Sequence, residues 1–143
     1  MKYLILGIVC SPLFSFAQLS GSDLADTVLQ NQVQINYNTQ LKAPEYEMNG
    51  TPFTGVLDFN GEDQSNKLYI HVKNGLEAYY LGKSPQGTTT LITHMKDGVK
   101  HGKTELFYAD GTLKEIQQYT KGMPSGVWKT FDSTGKLLEE KQH

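Results

Sequence analysis

The sequence predicts an all-β protein built from tandem antiparallel β-hairpins that form an elongated sheet, with a short N-terminal lead-in. Three observations predict this fold: a 24-residue internal repeat, an Asn-Gly, Asp-Gly or Lys-Gly pair at each repeat boundary, and alternating apolar and polar residues between the boundaries. The 143-residue chain divides into an export signal (residues 1–17), the lead-in (18–45) and a repeat domain (46–143).

The first 17 residues have the pattern of a cleavable signal peptide. Lys2 supplies the positive end, residues 3–10 are apolar and uncharged, and small residues at Ser15 and Ala17 fit cleavage before Gln18. The apolar run is shorter than the roughly 20 residues that span a membrane. We therefore expect a periplasmic or secreted protein, cleaved after Ala17, without a stable membrane anchor. A buried N-terminal strand is the alternative.

Composition argues against several classes of function. Cys10 is the only cysteine and leaves with the signal, so the mature chain has neither disulfides nor thiol chemistry. All cationic side chains are lysines, and loss of Lys2 changes the formal net charge from -2 to -3. Because arginine normally makes the bidentate contacts to phosphate and guanine, and no basic run is present, nucleic acid is not an expected partner.

The lead-in is rich in glutamine and asparagine and contains two patterns. Residues 22–29 begin with a capping Ser-Asp pair and favour a short helix. Apolar residues alternate with polar ones over 33–37, which is typical of a strand. A partly flexible arm is the alternative for this segment.

The internal repeat is clearest at the C-terminal end of the chain. Residues 98–119 match residues 122–143 at seven positions, where composition alone gives about one or two identities. The second unit is degenerate, because Tyr79 replaces its inner glycine and residues 84–87 predict an irregular turn. The four units are about 50–74, 75–97, 98–121 and 122–143.

Each unit is predicted to fold as strand, turn and strand. Recurring glycines supply the positive φ that tight turns require, because they have no Cβ. The structural turn glycines predicted in this way are Gly50, Gly55, Gly75, Gly98, Gly102, Gly111, Gly122, Gly126 and Gly135.

The apolar pattern within the units is clear in one strand and ambiguous in another. Leu68, Ile70 and Val72 alternate with more polar residues, as in a half-buried strand. Trp128 and Phe131 are three residues apart, so a regular strand directs them to opposite faces. Either a bulge separates them or both faces of the sheet are covered.

Three segments of the repeat domain resemble known families. Residues 98–111 (GVKHGKTELFYADG) and 122–137 (GMPSGVWKTFDSTGKL) resemble MORN-variant repeats, and residues 46–55 (YEMNGTPFTG) resemble the opening of YwqK-family antitoxins. The resemblance covers residues 46–143 and implies a row of hairpins without catalytic residues. The antitoxin name implies neutralisation of a partner by direct binding, and an export signal departs from a cytoplasmic antitoxin.

Aromatic residues are the best candidates for recognition. Tyr80, Tyr108 and Trp128 fall near matching phases of successive units, so stacked hairpins are expected to align them as a stripe. Such stripes bind proteins and glycans alike. Phe107 and Phe131 are expected to hold neighbouring hairpins together instead.

No catalytic or metal-binding constellation stands out, so we expect no enzyme activity, no metal and no other cofactor. His71, His94 and His101 lack ligand spacing and are expected to be solvated. The serines fall in turn-like segments, and the carboxylate pairs at 62–63 and 139–140 are expected on the surface.

The expected function is protein–protein interaction in the cell envelope or outside the cell, with the partner and the oligomeric state left open. One alternative is an antitoxin or immunity-type protein that binds a cognate toxin. A second is a glycan-binding module, which requires Trp128 and Tyr80 exposed on one face. A third is a hydrolase with a dispersed site.

Overall fold

The computed structural model describes residues 27–60 and 66–143, and over these ranges the protein is all-β. The predicted fold class of tandem antiparallel hairpins is confirmed. The predicted signal peptide and most of the predicted helix at 22–29 lie outside the described residues, and the described part of that helix, residues 27–29, is a strand. Within the described ranges, no helix is long and apolar enough to cross a membrane.

The strands follow one another with short connections, apart from a 3-10 turn at Gln30–Gln32. They are β1 Thr27–Leu29, β2 Gln34–Asn38, β3 Ala43–Met48, β4 Thr51–Pro52, β5 Gly55–Asp58, β6 Lys67–Lys73, β7 Leu76–Lys83, β8 Thr89–Lys96, β9 Val99–Phe107, β10 Leu113–Thr120, β11 Met123–Pro124, β12 Val127–Phe131 and β13 Leu137–Gln142.

The strands form two sheets. The larger one, which we call the repeat sheet, has the order β1-β5-β6-β7-β8-β9-β10-β12-β13, with β11 paired to β10. Adjacent strands within this sheet are antiparallel, except that β1 runs parallel to β5. The smaller one, which we call the small sheet, has the antiparallel order β2-β3-β4 and comes from the lead-in and the start of the first unit.

The 24-residue repeat is preserved in the strand register. The pair that closes each hairpin loop recurs at this interval and is followed by the same irregularity in register. These pairs are Lys83 with Thr89, Phe107 with Leu113, and Phe131 with Leu137. In the last hairpin, Thr130 pairs with Glu139 and Phe131 pairs with Leu137, so Leu138 is the extra residue and it lies on β13. Trp128 and Phe131 therefore alternate along a regular β12 and point to opposite faces.

The loop at residues 84–88 corrects the prediction of an irregular turn. Ser84 N donates to Thr88 O at 2.8 Å and Gly87 N donates to Ser84 O at 2.9 Å, and the loops at 108–112 and 132–136 have the same two bonds. The conformation of this loop is determined by its fourth residue. Gly87 has a positive φ there, as Gly111 and Gly135 do at the same position of the other two loops. The loop therefore tolerates Ser84 and Pro85 in its first positions.

The predicted unit boundaries are two-residue turns in which both central residues have positive φ. This is the conformation of the turns that match the twist of a hairpin. The pairs are Asn49-Gly50, Asn74-Gly75, Asp97-Gly98 and Lys121-Gly122.

The inner glycines have other roles than the predicted turns. Gly102 (φ +94) lies within β9 at a bulge where three residues face His94, and Gly126 (φ +62) lies between β11 and β12. Gly55 is not a turn glycine, because it begins β5 without a positive φ. A Cβ on Gly55 would lie 2.7 Å from the ring of Phe53, so close packing requires glycine there.

The core lies between the small sheet and the first strands of the repeat sheet. Ile70 and Val72 are buried in it, which confirms the alternation predicted for β6. β2 is a strand as predicted, but Ile35 and Tyr37 are 40% and 64% exposed, because β2 is the outer strand of the small sheet. The buried members of the core cluster are Val33, Tyr46, Phe53, Leu57, Ile70 and Val72.

The small sheet is a displaced copy of a repeat hairpin. Glu47 pairs with Pro52 in the small sheet as Tyr119 pairs with Pro124 in the repeat sheet, three repeats later. After β11 the chain continues into β12 beside β10, whereas after β4 it enters β5, which pairs with β1 instead of β3. The first hairpin is thereby released from the repeat sheet and contributes to the core.

Candidate functional site

The register of the repeat sheet places one row of side chains on the same face across eight strands. The row runs through Leu57, Ile70, Tyr80, Thr93, Thr104, Gln117, Trp128 and Lys141, and we call this side face A and the opposite side face B. At the N-terminal end, face A packs against the small sheet. At the C-terminal end it carries half-buried aromatic and polar residues in place of a core.

Tyr80 belongs to the covered end of face A. Its hydroxyl donates to Glu77 Oε2 at 2.5 Å, and Tyr46 of the small sheet donates to Glu77 Oε1 at 2.6 Å. Burial raises the pKa of Tyr46 and Tyr80 well above its usual value, and the hydrogen bonds to Glu77 raise the pKa further. Tyr80 is thus part of the link between the two sheets, and it is half-buried against the core where the glycan-binding alternative requires it to be exposed.

Tyr108 lies just beyond the end of β9, at a loop. Its hydroxyl donates to the carbonyl of Phe131 at 2.9 Å, and Lys114 Nζ lies 5.6 Å from its ring centre. It therefore helps to join the last two hairpins. Tyr80 and Trp128 share a row of face A as predicted, but they lie four strand spacings apart, about 19 Å, and the residues between them in the row are not aromatic. Because Tyr108 lies outside this row, the three aromatic residues do not form a continuous stripe.

Trp128 is the centre of an aromatic cluster on the open end of face A. Its ring centre lies 5.4 Å from that of Tyr119 and 4.3 Å from that of His143. Its Nε1 donates to the carbonyl of Gln118 at 3.0 Å, so the orientation of the indole is fixed. Lys100 Nζ lies 4.9 Å from the Tyr119 ring centre, on the same cluster.

A cleft of about 200 Å³ lies beside this cluster. Glu115, Thr130 and Glu139 lie in one row across β10, β12 and β13, so the two glutamates flank Thr130 on face A. Glu115 Oε1 accepts a hydrogen bond from Gln117 Nε2 at 2.7 Å. The lining residues are Glu115, Trp128, Thr130, Glu139, Lys141 and His143.

The negative charge of Glu115 influences its surroundings. The pKa of Tyr119 is raised, first by burial and then by the charge of Glu115. The Tyr119 hydroxyl donates to Gln117 Oε1 at 2.8 Å, which completes a chain from Tyr119 through Gln117 to Glu115. The cleft therefore combines a fixed aromatic wall with an acidic row.

The glutamates of the cleft were not among the sequence-predicted site residues. Their positions are 24 residues apart, and Glu115 on Glu139 is one of the seven identities of the repeat. The equivalent residue one unit earlier is Leu91, which pairs with Gly82 on face A. The sequence signal for the cleft is therefore one repeat position that carries glutamate in each of the last two units and leucine in the second unit.

The predicted solvated histidines are half-buried and bonded. His71 stacks on Tyr79 with ring centres 3.8 Å apart, and His94 Nδ1 lies 2.9 Å from the carbonyl oxygen of Lys103. His101 Nδ1 accepts from Lys121 N at 3.3 Å. Over residues 27–60 and 66–143, no group of three or more His, Cys, Asp or Glu residues is arranged to hold a metal ion.

Comparison with known proteins places the cleft in two recognised repeats. No curated protein and no solved structure matches the chain. Residues 100–121 and 124–143 match the family model of the MORN repeat variant, and these ranges contain β10, β12 and β13. The C-terminal part of the chain therefore consists of repeats that match the MORN repeat variant, a class of repeat module that generally mediates protein interaction.

Proposed function

We propose that the protein is an exported, non-enzymatic repeat scaffold that binds another protein through the open end of face A. One observation carries this proposal: the Trp128 cluster and its cleft lie on the face that, closer to the N-terminus, packs against the small sheet. The same sheet face thus stabilises the fold at one end and presents recognition residues at the other.

The composition of the open end supports binding of a protein. Trp and Tyr are the residues most enriched at the energetic centres of protein interfaces. The backbone contact of the Trp128 indole and its neighbours Tyr119 and His143 hold it in one orientation, so little conformational entropy is lost on binding. The charged residues at the rim of the cleft suit an interface with a polar edge.

Crosslinking in the producing cell tests the binding surface. A photoreactive amino acid at Thr130 lies on face A, and the same amino acid at Lys129 lies on face B as a matched control. We expect a covalent adduct with one protein from position 130 and none from position 129. No adduct from position 130, or equal adducts from both positions, contradicts the proposal.

Export is supported by the signal-like pattern of residues 1–17. We expect the protein in the periplasmic or culture fraction with Gln18 as its first residue. Mass spectrometry of the N-terminal peptide checks this. A full-length chain retained in the cytoplasm contradicts export and leaves the binding proposal standing.

A narrower form of the proposal is neutralisation of a toxin. It is supported by the resemblance of residues 46–55 to the opening of YwqK-family antitoxins. If this form is right, a neighbouring reading frame is lethal when expressed alone and harmless when this protein is co-expressed. Harmless expression of every neighbouring reading frame removes the antitoxin role.

A further inference from the structure

We propose that the cleft beside Trp128 binds a cationic side chain of the partner, an arginine guanidinium or a lysine ammonium, between Glu115 and Glu139. This inference rests on the proposed function and specifies the chemistry that the partner presents.

The spacing of the two carboxylates suits a cation held between them. Glu115 pairs with Thr130, and Thr130 pairs with Glu139, so the glutamates are two strand spacings apart, about 10 Å between their Cα atoms. Both side chains project from face A on either side of Thr130. A cation above Thr130 lies within reach of both, and charge-assisted hydrogen bonds to carboxylates are the strongest in proteins.

The carboxylates on face A have no salt-bridge partner among the described residues, in contrast to their neighbour on face B, and Glu115 Oε1 accepts a hydrogen bond from Gln117. Glu140, on face B, forms a salt bridge with Lys129 at 3.0 Å. The salt bridges among the described residues involve neither Glu115 nor Glu139. Lys141 and His143 also line the cleft.

The aromatic wall adds a second source of attraction. Trp128 lies two residues from Thr130 along β12 and on the same face, so its ring borders the acidic row. A cation within about 6 Å of the face of an indole is attracted by the ring quadrupole. The cluster already holds one such contact within the chain, since Lys100 Nζ lies 4.9 Å from the Tyr119 ring centre.

The repeat explains how the arrangement came together. Positions 115 and 139 are equivalent in adjacent units, and positions 104 and 128 are equivalent to each other as well. Glutamate at both 115 and 139 gives the paired carboxylates. Tryptophan is present only in the last unit, at position 128, and the equivalent residue of the preceding unit is Thr104. The site therefore exists once along the sheet, at the last pair of hairpins.

Intrinsic fluorescence reports on the cleft directly, because Trp128 is the only tryptophan of the chain. The full-length protein is titrated with Nα-acetyl-arginine amide, and in parallel with Nα-acetyl-citrulline amide, which has the same shape without the charge. We expect a saturable change with arginine, with a Kd on the order of 1 mM for so small a ligand, and no saturable change with citrulline.

Two charge-removing variants and one control assign the response to the acidic row. Glu115→Gln and Glu139→Gln are each expected to weaken arginine binding about tenfold, since each removes a charged hydrogen-bond acceptor and keeps the side-chain shape. Glu140→Gln, on face B, is expected to leave binding unchanged. Circular dichroism of each variant checks that the sheet is intact.

The outcomes separate this inference from the proposed function. An equal response to citrulline, or arginine binding unaffected by both Glu115→Gln and Glu139→Gln, overturns the cation site. If the photoreactive residue at position 130 still captures a partner in that case, the proposed function stands. If it captures none, both are wrong.

Discussion

The hydroxyl of Tyr46 donates a 2.6 Å hydrogen bond to the carboxylate of Glu77, which is only 7% exposed. Tyr46 lies in β3 of the small sheet and Glu77 in β7 of the repeat sheet. Tyr80 donates to the other oxygen of the same carboxylate. The hydroxyls of Tyr46 and Tyr80 therefore stabilise this buried carboxylate, and the bond from Tyr46 fixes the small sheet over face A.

Tyr46→Phe removes one of these bonds and keeps the apolar ring. Because a hydrogen bond to a charged group contributes about 1.5–3 kcal/mol, we expect the free energy of unfolding to fall by that amount. Urea denaturation measures it. The matched control is Tyr37→Phe in the exposed strand β2, where a change within about 0.5 kcal/mol is expected. Equal effects at the two positions contradict the importance of the link.

The same pair of tyrosines makes stability depend on alkaline pH. The pKa values of Tyr46 and Tyr80 are raised from the usual 10.0, first by burial and then by hydrogen bonding to Glu77. A raised folded-state pKa gives a contribution that is fully present below pH 10 and lost as the pH rises through the folded-state pKa. We therefore expect the free energy of unfolding to fall above about pH 10.

Tyrosinate absorbance and circular dichroism during an alkaline titration check this expectation. Because burial and the bonds to Glu77 raise the pKa of Tyr46 and Tyr80, these two tyrosines are expected to ionise only when the sheet unfolds. In the Tyr46→Phe, Tyr80→Phe double variant the loss of stability with pH is expected to be smaller. Ionisation of all the tyrosines near pH 10, in a protein that stays folded, contradicts the prediction.

Gly98 is required for two reasons that substitution can separate. Its φ is +75, and a Cβ there would overlap the Cβ of fully buried Ala43. Gly50 has a nearly equal φ of +74 with open space around it. We expect Gly50→Ala to destabilise by about 1–2 kcal/mol from the backbone alone, and Gly98→Ala by about 1–3 kcal/mol more.

A compensating change tests the steric part of this argument. Ala43→Gly removes the atom that a side chain at position 98 would meet, so the Ala43→Gly, Gly98→Ala double variant is expected to lose less stability than the sum of the two single variants. Thermal denaturation of the four proteins gives this comparison. Strictly additive losses would mean that Ala43 does not limit position 98.

The predictable part of the fold is the part encoded by local backbone requirements. Paired positive-φ residues such as Asn74-Gly75 encode the boundary turns, and they recur in the sequence where the turns lie. The role of Gly55 depends on the ring of Phe53, and the displacement of β3 depends on β1 occupying its place beside β5. These are tertiary contacts, which no spacing along the chain specifies.

The candidate site is likewise predictable from the sequence only in part. The phase of Trp128 in the repeat predicts a recognition residue, and the structure places Trp128 in an aromatic cluster beside a cleft. Tyr80 has the equivalent phase, but the small sheet covers that end of face A, so the same position has a structural role there. Repeat phase therefore predicts which face a residue occupies, and only the position of the small sheet decides whether that face is open.

Burial is distributed unevenly along the repeat sheet. The buried hydrophobic residues of the described chain lie between Val33 and Ile92, and β9 to β13 contribute none of them. β13 is exposed along its whole length and pairs only with β12. The hairpins whose repeat is clearest in the sequence are thus stabilised mainly by backbone pairing with their neighbours.

This gradient predicts that the last hairpin opens independently of the core. In repeat proteins each unit is stabilised by its neighbours, and segments with little buried apolar area have the lowest opening free energy. Hydrogen exchange measured by mass spectrometry is expected to be fastest in β12 and β13 and slowest in β6 and β7. A chain that ends at Thr120 is expected to keep the remaining sheet and the link between Tyr46 and Glu77. Uniform protection from β6 to β13, or global unfolding of the shortened chain, would show instead that the terminal hairpin is part of one cooperative unit with the core.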